Sequence, residues 1–220
     1  MKKLLFSTIV LLSFSALYAQ PAITVKGGLI NSNFRGDAVD VLNKVTDVAG
    51  EYVNRKSLTG YYIGVGSTLP IGETFFVEPS LLYTRTGTTM RATLDIGVVD
   101  MLGIGANVDL RQQNIELPLM IGAELAPGLK IKAGPLASYT FASDLRIRAT
   151  ALGINLLNQK IGVANGFEPF NFGVAGGISY QFNNGLGFEA GYQHGLSKIT
   201  SGRSTDTYSQ SWRAGMSFAF

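Results

Sequence analysis

The sequence predicts an all-β protein: an eight-stranded antiparallel up-and-down transmembrane β-barrel. Four observations point there. Charged residues make up 15% of the 220-residue chain, against about 25% in soluble domains. Yet beyond the first twenty residues no run is long and apolar enough for a spanning helix. Eight segments alternate apolar with small or polar residues, the period of a strand with two unlike faces. Short and long connections alternate between these segments, as in outer-membrane barrels. A membrane protein without apolar helices must close its strands on themselves, because only closure satisfies every backbone N–H and C=O in lipid.

The chain opens with MKKLLFSTIVLLSFSALYAQ. Two lysines, an apolar run and small residues near Ala19 predict a signal peptide over 1–19, cut between Ala19 and Gln20. The run from Leu4 to Leu17 is too short for a membrane anchor. Residues 20–220 are then the barrel domain, one domain by length. Losing Lys2 and Lys3 removes two positive charges and lowers the formal net charge from +3 to +1. With no basic run, nothing points to nucleic acid. The chain has no cysteine, consistent with an exported protein that needs no disulfides.

The strands follow in order. ITVKGGLI sets Ile23, Val25 and Leu29 against Thr24, Lys26 and Gly28. GYYIGVGSTL sets Tyr61, Ile63, Val65 and Leu69 against Gly64, Gly66 and Thr68. TFFVEPSLLYT sets Phe75, Val77, Leu81 and Tyr83 against Glu78, Ser80 and Thr84. NIELPLMIGAEL sets Ile115, Leu117, Leu119 and Ile121 against Asn114, Glu116 and Gly122. LKIKAGPLASYTF sets Leu129, Ile131, Ala133, Ala137, Tyr139 and Phe141 against Lys130, Lys132, Gly134 and Ser138. NFGVAGGISYQF sets Phe172, Val174, Ile178, Tyr180 and Phe182 against Asn171, Gly173, Ala175, Ser179 and Gln181. LGFEAGYQ sets Leu186, Phe188, Ala190 and Tyr192 against Gly187, Glu189, Gly191 and Gln193. SWRAGMSFAF sets Trp212, Ala214, Met216, Phe218 and Phe220 against Ser211, Arg213, Gly215, Ser217 and Ala219. Ten such residues, tilted near 40°, rise about 25 Å, the height of an outer-membrane apolar band.

PIG at 70–72, APG at 126–128 and NNG at 183–185 read as tight turns. Arg35–Ser57, Gly87–Leu110, Ser143–Glu168 and Ser197–Thr207 read as long connections. The tight turns are expected to face the periplasm, with both termini. Phe75, Phe182, Phe188, Phe218 and Phe220 would form a lower aromatic girdle. Tyr61, Tyr83, Tyr139, Phe172, Tyr192 and Trp212 would form an upper one. A soluble lipocalin-like barrel also alternates, but is apolar inside. Here the polar face is rich in Gly and Ser, which suits a confined lumen. Pro79, Pro118 and Pro135 conflict with the pattern, since each removes a ladder donor inside a strand.

Several residues are candidates for chemistry. The polar face carries Glu78, Glu116, Glu124 and Glu189 together with Lys26, Lys130, Lys132 and Arg213. An eight-stranded lumen is just wide enough for side chains, so these charges are expected to pair into a plug. A gated ion path is the alternative. His194 is the single histidine, with Ser197 close by in sequence. Some eight-stranded barrels are lipid-modifying hydrolases that use Ser, His and an acid, but proximity in sequence alone does not make that constellation. One histidine and no cysteine make no recognisable metal site. No cofactor and no enzymatic activity are expected. In the outer connections, Asp37–Gly50 has helical spacing with Asp37 and Gly50 as caps. MRATLDIGV and LRIRATALGI continue the alternation, so strands three to six are expected to project above the membrane as a small sheet. Leu94, Ile96, Val98, Ile147 and Ile154 would then need cover.

VKGGLINSNF, FFVEPSLLYTRTG, NIELPLMIGAEL, IKAGPLASYTF, FNFGVAGGISYQF, LGFEAGYQHGLSKI and SWRAGMSFAF together resemble the PorT-like outer-membrane β-barrel proteins, often labelled porin-family. The resemblance covers nearly all strands in family order. It implies the barrel fold, placement in the outer membrane of a Gram-negative cell, and tolerance of the strand prolines; it implies no single activity. The last strand also resembles the signal by which such barrels enter their assembly machinery, carried by Trp212, Met216, Phe218 and Phe220. The expected partners are outer-membrane lipid, the barrel-assembly machinery and an extracellular or secretion-system protein. The expected role is structural or interactive: adhesion, envelope integrity or secretion accessory. A narrow passive channel is the alternative, and a lipid-modifying enzyme comes third.

Overall fold

The computed structural model describes residues 22–36, 53–93, 105–151, 154–162, 168–197 and 207–220. Every regular element among them is a strand: β1 (Ala22–Gly36), β2 (Val53–Ile71), β3 (Phe75–Thr93), β4 (Gly105–Ala126), β5 (Leu129–Ala151), β6 (Ile154–Gly162), β7 (Phe170–Gln181), β8 (Leu186–Gly195) and β9 (Thr207–Ala219). Eight of them close into one antiparallel ring in the order β1-β2-β3-β4-β5-β7-β8-β9. β1 and β9 seal it, from Thr24↔Ala219 to Gly36↔Thr207.

The alternation decides which side chain goes where. Ile63, Leu117, Ile121 and Phe172 point outward and are exposed, while Thr24, Lys26, Glu78, Glu116 and Lys132 are buried inside. The aromatics expected at the girdles all belong to outward-facing positions. At the long-connection end Tyr192 packs against Trp212, the rings tilted by 49° and 4.7 Å apart between centroids. At the turn end Phe182 meets Phe188 at 6.0 Å.

Three tight turns join strands at one end, and each holds one glycine with positive φ: Gly72, Gly128 and Gly185. That conformation costs glycine little because it lacks a Cβ. The turn expected at 70–72 lies instead at 72–74, because β2 keeps pairing through Pro70↔Phe76 and Ile71↔Phe75.

The prolines are accommodated by a repeated device. Between β2 and β3 the rungs skip from Gly66↔Ser80 to Leu69↔Val77, past Pro79. Between β3 and β4 they skip from Pro79↔Leu119 to Leu82↔Glu116, past Pro118. Between β4 and β5 they skip from Pro118↔Leu136 to Ile121↔Ala133, past Pro135. Each proline turns its missing N–H toward the preceding strand and pairs normally with the following one. The wall thus has one short gap in each of three successive ladders.

Within the long connections expected at Gly87–Leu110 and Ser143–Glu168, residues 87–93, 105–110, 143–151 and 154–162 are strand. β4 has 22 residues and β5 has 23, whereas β7 has 12 and β8 has 10. About ten extra residues at ~3.3 Å each, tilted near 40° as in the barrel, carry the tall side roughly 25 Å beyond the short side. β6 pairs with this projecting part of β5, from Asp144↔Gly162 to Ala151↔Ile154. The result is a sheet of β2, β3, β4, β5 and β6. This corrects the expected extension of strands three to six: β2 takes part, a ninth strand is added, and the sixth barrel strand, β7, begins only at Phe170. Register shifts at Leu58/Tyr61 and Gln113/Asn114 mark the height where the sheet leaves the barrel, a usual place for bulges. The expected helix at Asp37–Gly50 lies outside the described residues, as do Leu94, Ile96 and Val98.

A closed ring predicts heat-modifiable migration. The folded chain should run differently on unheated and heated detergent gels, since a barrel without edges resists detergent. A single position under both conditions would contradict closure.

Candidate functional site

In the lumen, charged side chains from many strands converge. In its lower tier, Lys26 of β1 and Lys132 of β5 face Glu78 of β3 and Glu189 of β8. Lys26 Nζ donates to Glu78 Oε1 and stands 3.8 Å from Glu189 Oε2. Lys132 Nζ lies 2.8 Å from Glu78 Oε1 and 3.2 Å from Glu189 Oε2. Two cations and two anions thus form a closed square, each side chain no more than 9% exposed. Isolated, each buried ion would lose several kcal/mol of solvation; arranged as a square, every charge has two opposite neighbours.

The upper tier is built on Glu116 of β4. Its carboxylate accepts from Arg213 Nη2 at 2.9 Å, Gln193 Nε2 at 3.1 Å and Thr84 Oγ1 at 3.1 Å. Ser211 Oγ donates to Gln193 Oε1 at 2.7 Å. Thr140 Oγ1 donates to Asn114 Oδ1 at 2.7 Å.

Tyr62 of β2 joins the tiers. Its hydroxyl donates to Glu189 at 2.8 Å, and its ring lies under the Arg213 guanidinium, 5.3 Å from Cζ to centroid. It is 1% exposed and packs with Ile30 and Leu82. The two tiers therefore tie together seven of the eight barrel strands. The eighth, β7, presents Gly173, Ala175, Gly177 and Ser179 inward, leaving room for the long side chains opposite. Gly215 does the same on β9: a Cβ there would run into the Tyr62 hydroxyl and the Gly27 backbone.

Six of the eight charged residues expected in the lumen meet as ion pairs. Glu124 and Lys130 do not. Glu124 is exposed at the turn end, where it accepts from the Gly128 N–H at 2.9 Å. Lys130 lies over the Phe76 ring at 5.5 Å. Both sit where the strands run out, so water reaches them. Tyr62, Thr84 and Gln193 were missed because they are neutral, although the alternation places all three on the inward face.

His194 and Ser197 engage different neighbours. His194 Nδ1 stands 3.4 Å from the Tyr192 hydroxyl on the outward face. Ser197 Oγ accepts from the Phe172 N–H at 2.8 Å. Among the described residues no three His, Asp or Glu gather as a metal site. Trp212, Met216, Phe218 and Phe220 all point outward along β9 and its end.

A family model described as outer membrane protein beta-barrel domain matches residues 18–201. Among solved structures, the chain is similar to neisserial surface protein A at 14% identity, covering 90% of this chain and 97% of that one, with a TM-score of 0.47. It is also similar to Ail, the attachment invasion locus protein of Yersinia pestis, at 12% identity, 91% and 99% coverage and a TM-score of 0.46. OprG from Pseudomonas aeruginosa follows at 14% identity, 90% and 95% coverage and a TM-score of 0.40. No curated protein matches the sequence.

The two kinds of lysine predict unequal effects. Lys132→Met leaves two buried carboxylates with one cation and should lower the unfolding free energy by about 3–5 kcal/mol. Lys130→Met removes a single cation–π contact and should lower it by about 1 kcal/mol or less. Urea unfolding in lipid vesicles, followed by the gel shift, measures both; equal effects would refute the network.

Proposed function

We propose that this chain, which belongs to the outer membrane β-barrel domain family, is a small integral outer-membrane protein with a structural or interaction role at the cell surface. Adhesion, envelope integrity and secretion accessory are the roles in question. The supporting observation is the sheet of β2, β3, β4, β5 and β6 that continues past the barrel. Among the described residues, its two lateral edges, β2 over 53–58 and β6, pair on one side only. An unpaired strand edge offers main-chain donors and acceptors to another chain. In this reading the ion pairs plug the lumen, so the barrel anchors and the sheet recognises.

A narrow passive channel is the second reading, supported by the polar lumen. It is the weaker one, because an ion crossing the lumen would have to part pairs that already satisfy one another. A lipid-modifying enzyme remains the third reading, and the hydrogen bonds of His194 and Ser197, to Tyr192 and to Phe172, give it no added support. The more specific resemblance to PorT-like proteins, the signal peptide over 1–19, the periplasmic termini and the assembly role of Trp212, Met216, Phe218 and Phe220 belong to the same proposal.

Replacing Gly87–Leu110 and Ser143–Glu168 with tight turns tests it. The shortened protein should keep its outer-membrane level and heat-modifiable migration, yet fail to restore whichever trait (secretion, envelope tightness or adhesion) a full deletion impairs. Complete restoration would place the function in the barrel itself.

A further inference from the structure

Above the Glu116–Arg213 pair the lumen widens into a cup of about 70 Å³. It lies on the low side of the rim, where β7 begins at Phe170, β8 ends at Gly195 and β9 begins at Thr207. The tall strands β3, β4 and β5 stand behind it. Its polar lining is hydroxyl and carboxamide: Ser32, Asn114, Ser138, Asn171, Gln193 and Ser211 are among the residues that face it. Leu136 supplies an apolar wall. The carboxylate at its floor, Glu116, is already engaged by Arg213, Gln193 and Thr84. Below that floor come Tyr62 and the lower ion square, with a separate cavity of about 40 Å³ between Lys26, Lys132, Glu189 and Arg213; the Glu116–Arg213 pair stands between it and the cup.

One group in it lacks a partner. Ser32 is 7% exposed and lines the cup, and its Oγ makes no hydrogen bond. An unsatisfied buried hydroxyl is unfavourable enough that structures seldom retain one without a water or ligand to meet it.

We propose that this cup binds a small neutral polyol, of the size of one sugar ring, entering from the outer side. The chemistry of the lining selects it. Hydroxyls and carboxamides both donate and accept, as sugar hydroxyls do. Among the described residues that line the cup, the one charge, Glu116, is neutralised by Arg213, so an ionised ligand would be desolvated without a counter-charge. Leu136 offers the C–H face of a ring its apolar contact. By this measure of volume a water needs about 10–15 Å³, so the cup holds roughly five to seven waters; at about 30 Å³ of liquid each, they take up about 150–210 Å³, the room one hexose ring needs. The ring could come from a free sugar or from the end of a glycan, since both present the same hydroxyls.

The test uses the full mature chain, ¹⁵N-labelled in detergent micelles, with the side-chain amides of Asn114 and Gln193 as reporters. The probes are D-glucose, maltotriose and the anion gluconate. Glucose should shift both amides saturably, and gluconate should bind at least about ten-fold more weakly. Binding of maltotriose as well would support a glycan end as the source; binding of glucose alone would support a free sugar. Ser32→Val should raise the apparent Kd about five-fold, the worth of one hydrogen bond. Ser138→Leu should abolish the shifts while unheated gel migration is retained; if that variant fails to fold, Ser32→Val decides. No saturable shift with either sugar, equal binding of gluconate, or unaltered titration in Ser32→Val would overturn the proposal.

Discussion

In a bilayer an unpaired backbone N–H or C=O has no water to turn to, and this requirement shapes everything else in the molecule. It forces β1 to meet β9 along the whole seam from Thr24↔Ala219 to Gly36↔Thr207. It also explains how the prolines are placed. Pro79, Pro118 and Pro135 each give up a rung on one side only, and each keeps its pairing on the other. Closing the ring with eight strands then sets a lumen of side-chain width. Residues that fill it must fit by volume, which is why small residues on β7 and Gly215 on β9 lie opposite long side chains.

The same closure makes the lumen charges specify the fold. A slip of one residue would exchange the two faces of a strand. Lys26, Glu78, Lys132 and Glu189 would then face lipid, where a lysine at mid-depth costs about 2–4 kcal/mol. Buried ion pairs are weak evidence for stability as such, because an apolar core of equal volume often does as well. Here their stronger effect is on register: an apolar lumen would leave both strand faces alike. The barrel wall is thus constrained from outside by lipid and from inside by pairing. The rim and the projecting sheet are freer of both, which is why the proposed recognition is placed there.

The barrel was legible because a period of two is local: Ile63 and Leu117 declare their outward face without knowledge of any partner. Tyr62 was equally legible in parity, since it shares a face with Gly64 and Gly66, but its neutral side chain did not mark it as the joint between the two tiers. Glu124 and Lys130 share the lumen parity yet escape the network, because parity says nothing of depth, and depth decides whether water competes. The extra strand β6 was hidden for another reason. The alternation in LRIRATALGI was visible and belongs mostly to β5 itself, but whether the residues after it, Ile154–Gly162, turn back on β5 or run on depends on long-range pairing. The skipped rungs at the prolines were likewise invisible, since the side on which a proline faces depends on which strand lies beside it.

The central claim is that the paired charges close the lumen, so that the protein acts at its rim and not as a pore. Recording from the unmodified mature protein in planar lipid bilayers tests this most directly. The account predicts a membrane that remains essentially non-conducting after insertion is verified by heat-modifiable migration of the recovered protein. Steady, reproducible single-channel steps would contradict it and make the lumen the functional site.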